Sequence, residues 1–282
     1  MTSISRQKKS RRAVLRAVAG GAALVALKPL RARAQRSNKG TFVLVHPAWH
    51  GAWCWKKVTP LLRAQGHEVH TPTLTGLGER AHLARPEIGL AIHVEDVVSI
   101  LKYEDLRDVV LVGHSSSGMV ITGVAGRAPE HIAHLVYLDA FVPGHGQSLL
   151  DLLPPDRRQA FEDFARSEGK GWLVPRFAPL PWDHIVRKLW GVNDAADVQW
   201  MLARLVPTPL AHFKEPAQLV NLARETLVRT YIRCLKFPHV GFDRHAAMAR
   251  GTAGWRYREL PAPHHPAITH PREVAALLLE AV

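Results

Sequence analysis

The stretch Leu111-Val112-Gly113-His114-Ser115-Ser116-Ser117-Gly118 decides how this chain is read. Ahead of it runs Val109-Val110-Leu111-Val112, short, β-branched and uncharged, the pattern of a strand buried on both faces. Behind it, the small residues of 116–125 predict a helix. A serine at a strand-to-helix turn is held exposed on a strained backbone, with the next N–H aimed at the same space. An acyl-transfer nucleophile needs that placement, which makes Ser115 the candidate. The pattern is G-x-S-x-G with one departure: Ser117 stands where the closing glycine belongs, and Gly118 follows one residue later. So short a motif also fits a serine-rich loop without chemistry, and the rest of the chain has to agree.

Working outward, strands and helices alternate. Strands are predicted over Thr41–His46, Glu68–Thr71, Ala133–Asp139, Val228–Cys234 and Trp255–Leu260. Helices are predicted over Trp53–Gln65, Ile92–Lys102, Arg244–Arg250 and Arg272–Ala281. Such alternation implies an α/β fold, a mostly parallel central sheet flanked by helices. Residues 144–225 lose the alternation and hold four of the eight tryptophans (Trp172, Trp182, Trp190, Trp200), so they read as a helical cap insertion. The core is then 35–143 with 226–282.

With 282 residues, 47% of them hydrophobic, the chain can bury a large core. The net charge of +13 is concentrated: residues 1–34 carry nine Lys/Arg and no acid, leaving +4 for everything after them. That remainder shows no basic helix or aromatic-basic ladder, so nucleic-acid binding is not expected. The N-terminal stretch contains Arg11-Arg12, then eleven uncharged residues, Ala17–Leu27, and then Ala32-Arg33-Ala34. The uncharged run is too short to span a bilayer, so no stable membrane insertion is expected. The segment resembles a bacterial Tat signal, although a disordered basic tail has the same composition. The resemblance implies export by the Tat machinery and a periplasmic or secreted protein. Cys54 and Cys234, far apart and without metal spacing, read as free thiols.

Phe42–Trp55 (FVLVHPAWHGAWCW), Pro60–Val69 (PLLRAQGHEV), Leu74–Arg80 (LTGLGER), the serine turn and His264–Val274 (HHPAITHPREV) together resemble the α/β-hydrolase superfamily. The resemblance is to the branch of plant methyl esterases, hydroxynitrile lyases and bacterial pyrethroid-hydrolase-like carboxylesterases. It is weak across the insertion. It implies a base on the loop after the last strand, where H-x-P-x-x-x-x-P maps onto His264, Pro266 and Pro271. A three-histidine metal site there lacks a carboxylate at ligand spacing, and neither metal nor cofactor is called for. The superfamily usually places the acid just after the strand Val228–Cys234, yet no acid follows until Asp243, where a helix N-cap is an equal reading. Asp139, ending the strand after the nucleophile strand, is the favoured acid, since a carboxylate there needs a partner and a triad histidine supplies one. Both acids stay open at this stage.

Two oxyanion donors are expected: the N–H of Ser116 and, because Pro47 has none, the N–H of Ala48. Trp49 and His114 are expected to line the substrate pocket, with Trp55 in the core. The reading that follows is a serine carboxylesterase acting on a small-molecule ester, aryl or alkyl. A hydroxynitrile lyase would carry a hydroxyl residue at Pro47 and a lysine at His265, and a ligand-binding protein that keeps the fold would have lost Ser115 or His264.

Overall fold

The protein is described here from a computed structural model, over residues 39–176, 178–219 and 226–282. The Tat-signal reading of 1–34 lies outside the described residues. Among the described residues there are eight strands: β1 (Thr41–Val45), β2 (Glu68–His70), β3 (Val109–His114), β4 (Ile132–Leu138), β5 (Leu173–Val174), β6 (Thr208–Pro209), β7 (Val228–Cys234) and β8 (Trp255–Leu260). Six of them form one sheet in the order β2-β1-β3-β4-β7-β8. All its neighbours pair parallel.

A parallel sheet is stable only with both faces covered, and the alternation of side chains divides the core accordingly. Val43, Val45, Leu111, Tyr137 and Tyr231 join helices α2 (Leu90–Tyr103), α3 (Ser117–Arg127) and 240–251 on one face. Phe42, Leu44, Val112, Leu138 and Ile232 meet Trp55, Leu62 of helix α1 (Thr59–Ala64) and Leu278 of the last helix on the other. β3 is buried at every position, as its uncharged sequence requires.

The chain leaves β1 for the edge strand β2, then crosses back to β3 on the other side of β1. This reversal opens a crevice beyond the carboxyl ends of β1 and β3, where open α/β sheets gather ligands. Registers bring three further chain segments to the same edge. His114 pairs with Leu138 and Leu138 with Ile232, so Ser115, Asp139 and Arg233 follow one another across the sheet. Cys234 pairs with Leu260, which delivers the loop carrying His264.

One predicted helix divides. Trp53–Gln65 is a 3-10 turn, Ala52–Trp55, followed by α1. Pro60 lacks the N–H that a helix interior needs and is tolerated only in a first turn, so the helix starts beside it. The insertion is also not purely helical. Besides α4 (Pro155–Ser167) and a helix over Ala195–Leu202, β5 and β6 pair antiparallel. Strands of two residues are too short to show alternation. Trp49 ties this ribbon to the core: its N–H donates to Thr208 Oγ1 at 2.8 Å and its indole Nε1–H to the Val174 carbonyl at 2.9 Å.

Candidate active site

Ser115 adopts φ 56°, in the left-handed region, between β3 and α3. Non-glycine residues pay strain there. The turn is held by Ser115 N–H donating to the Leu138 carbonyl (3.2 Å) and Phe141 N–H donating to the Ser115 carbonyl (3.0 Å). The departure from G-x-S-x-G has a local explanation. The Ser117 hydroxyl is buried and donates to the His46 carbonyl, which satisfies it. Gly118 takes over the close approach: a Cβ there would lie 1.9 Å from the Phe141 carbonyl oxygen. Gly118→Ala is therefore expected to lower the melting temperature, by overpacking worth about 1–3 kcal/mol or more, and to disturb the Ser115 turn that Phe141 braces. Thermal denaturation beside an activity assay checks it.

His264 Nε2 lies 3.0 Å from Ser115 Oγ, and His264 Nδ1 lies 2.7 Å from Asp139 Oδ2. With Nδ1–H donating to the carboxylate, Nε2 is left as the acceptor for the serine proton. Phe237 stacks on the His264 ring with centroids 4.4 Å apart. Burial drives the His264 pKa well below its ordinary value, with His239 and Arg233 adding to the effect, so the ring is neutral and ready to accept a proton. Burial pushes Asp139 up to about 6, against the opposing pull of Arg233 and the hydrogen bonds it receives.

Asp139 has φ 44°, which turns the chain at the end of β4 and aims the carboxylate along the sheet edge. Its Oδ1 accepts from Arg233 Nη1 (2.6 Å) and from the Cys234 N–H (3.1 Å). Asp243 does not contact His264. It accepts from Arg233 Nε at 3.0 Å and Nη2 at 2.8 Å. Nor is it a helix cap, because the helix begins at Val240 and the cap is His239, whose Nδ1 accepts from the Phe242 N–H.

The Ala48 N–H points into the site and donates to Ser116 Oγ at 2.8 Å. An oxyanion gains this donor only by displacing or sharing it with that hydroxyl. Ser115, Ser116, Ala48, Trp49 and His264 all line one cavity of about 290 Å³. Its walls are aromatic: Trp49, Phe161, Trp190 and Phe213 on one side, Phe141, Phe237 and Phe242 on the other. His114 does not line it, which corrects the expectation. As the last residue of β3 it is buried behind the base, 1% exposed, with Nε2–H donating to the His264 carbonyl at 2.7 Å. That bond ties the end of β3 to the loop that carries His264.

Sequence reasoning missed Arg233, the aromatic residues Phe161 and Phe213 of the insertion, and the Phe237 and Phe242 rings that stack on His264. Only Arg233 left a readable signal: a cation near the carboxyl end of a central strand, between the apolar Ile232 and Cys234, has to be paired once buried.

A strained serine, a buried histidine and a carboxylate in hydrogen-bonded series beside an apolar cavity define the serine-hydrolase class on this fold. The chain belongs to the α/β-hydrolase family, whose pattern it matches over residues 42–277. It is 40% identical, over 84% of its length and 97% of the relative's, to the carbendazim hydrolyzing esterase of Nocardioides sp. strain SG-4G. It is 27% identical to methyl jasmonate esterase 1 of Vitis vinifera, covering 86% and 96% of the two chains. Among solved structures, an extracellular α/β-hydrolase from a Paenibacillus species superposes with a TM-score of 0.74 at 27% identity, over 86% of this chain and 98% of that one. That protein is described as sharing structural and functional homology with tobacco salicylic acid binding protein 2.

Proposed function

We propose that this chain is a serine carboxylesterase that hydrolyses small to medium hydrophobic esters, aryl or alkyl, through an acyl-enzyme on Ser115. The observation that carries the reading is the 3.0 Å contact between His264 Nε2 and Ser115 Oγ at the floor of an aromatic cavity. Ser115 Oγ attacks the ester carbonyl while His264 Nε2 takes its proton. The tetrahedral oxyanion is held by the N–H groups of Ser116 and Ala48. His264 then gives the proton to the leaving alcohol, and water activated by the same nitrogen releases the acid. Asp139 holds the ring in the Nδ1–H tautomer and balances the transient imidazolium.

The relatives' names support a carboxylic ester or a related acyl compound with a small leaving group. The aromatic walls favour a flat or branched apolar acyl part. A lyase reading is disfavoured by the cavity lining itself, which presents Pro47 and His265 where a lyase would need a hydroxyl and a lysine. Burial and neighbouring His50 keep His265 neutral. The test is a panel of p-nitrophenyl, methyl and aryl-alkyl esters, with mandelonitrile as a lyase substrate, against wild type and a Ser115 variant. Serine-dependent ester turnover without cyanide release is expected, and cyanide release at a comparable rate would reverse the assignment.

The export reading rests on residues 1–34 alone: a Tat-exported, periplasmic or secreted esterase. Residues 1–40 fused to a folded reporter should carry it out of the cytoplasm only when Arg11 and Arg12 are intact. Export that persists with both changed to Lys, in cells without the Tat pore, would remove the claim.

A further inference from the structure

The loop after β7 brings no carboxylate to His264. What that strand brings instead is a cation. Arg233 is 4% exposed, and its guanidinium is fully engaged. Nη1 donates to Asp139 Oδ1 (2.6 Å) and to the Cys234 carbonyl (2.7 Å). Nη2 donates to the Phe237 carbonyl (2.7 Å), and Nη2 and Nε both reach Asp243. The fork thus spans four acceptors: the carboxylate that holds the base, the carbonyl that ends β7, the carbonyl of the residue whose ring stacks on that base, and an acid at the protein surface.

We propose that Arg233 is the positioning residue of this active site, keeping Asp139 ionised and aimed at His264. The inference rests on the triad reading above and extends it. Asp139 is wholly buried, and a lone buried carboxylate takes up a proton rather than stay charged. A protonated Asp139 would donate a hydrogen bond to Nδ1, which favours the tautomer with its proton on Nε2, facing Ser115, and stops catalysis. The groups facing Asp139 are few. β7 and its end supply Arg233, Tyr231 and the N–H and thiol of Cys234, β3 supplies His114, the last loop supplies His264, and the cap of the helix 240–251 supplies His239, while Asp243 of that helix lies on the far side of Arg233. Of these, Arg233 is the one permanent cation. Asp243, whose side chain is 63% exposed, holds the far end of the fork without touching the base.

Protonation of Asp139 or of His264 silences the site, so activity falls as pH drops, and Arg233 holds both values down. Its removal must move the acidic limb of the kcat/KM profile upward. The experiment compares wild type, Arg233→Gln and Arg233→Lys on a p-nitrophenyl ester across pH, with near-UV circular dichroism as the fold control. In Arg233→Gln the limb is expected about 1–3 pH units higher, and in Arg233→Lys, which keeps the charge, it is expected to return towards wild type. A folded Arg233→Gln with its limb unmoved overturns the proposal, whatever its rate. Should the Gln variant not fold, Arg233→Lys decides: a wild-type limb supports the role, and a limb raised by more than about one unit refutes it. Loss of the triad reading would look different, since wild type would then turn over ester without needing Ser115.

Discussion

Ser115→Ala is expected to lower kcat for any ester substrate by roughly 10⁴–10⁶-fold while leaving the fold intact. The hydroxyl is the only group removed, and no hydrogen bond of the turn depends on it, since the turn is braced by the Ser115 N–H and carbonyl. Alanine keeps the small Cβ that the strained φ already tolerates. Residual turnover would come from the oxyanion donors and from binding alone. Ser117→Ala should behave oppositely, costing stability through the loss of the Ser117–His46 hydrogen bond rather than the chemical step. The two variants, compared by kcat and by melting temperature, separate the nucleophile from its neighbour.

The second large effect concerns the acid. Asp139→Asn is expected to cut kcat by about 10⁴-fold, because an amide NH₂ facing Nδ1 stabilises the tautomer whose Nε2 already carries a proton. It also takes from Arg233 a buried anionic partner 2.6 Å away. Breaking such a pair costs up to about 3–5 kcal/mol, so the rate must be referred to the folded fraction. Asp243→Asn should keep kcat near wild type and cost less than about 1 kcal/mol, as befits an ion pair with one solvent-exposed partner. Arg233 then still holds Asp139 and two carbonyls. An inactive Asp243→Asn beside an active Asp139→Asn would move the acid to the other carboxylate.

The difference between these acids shows what was legible in the sequence and what was not. The strands Val228–Cys234 and Trp255–Leu260 have the same bounds in sequence and structure, and for the second the reason is plain, since Gly254 and Pro261 delimit it. The edge position of Asp139 could be read from where an apolar run ends. Its contact with His264 could not, because that needs the β3–β4–β7 register to set Ser115, Asp139 and Arg233 side by side. The place of His114 is not legible for a related reason: one residue before a sharp turn, its side chain falls behind the base instead of into the cavity. The β5–β6 ribbon left no trace because its pairing is held by tertiary contacts through Trp49, not by local preference. The cap aromatics were visible only as composition, since which rings face the cavity depends on packing against the core.

The central claim, that Ser115 is the group acylated during turnover, is tested most directly by trapping it. The protein is treated with a fluorophosphonate, residual esterase activity is followed, and the peptide spanning the β3–α3 turn is read by tandem mass spectrometry. Loss of activity in proportion to a single phosphonyl group on Ser115 is the expected result. A stoichiometric adduct on Ser116 or Ser117, or full ester turnover by protein already labelled at Ser115, would contradict it.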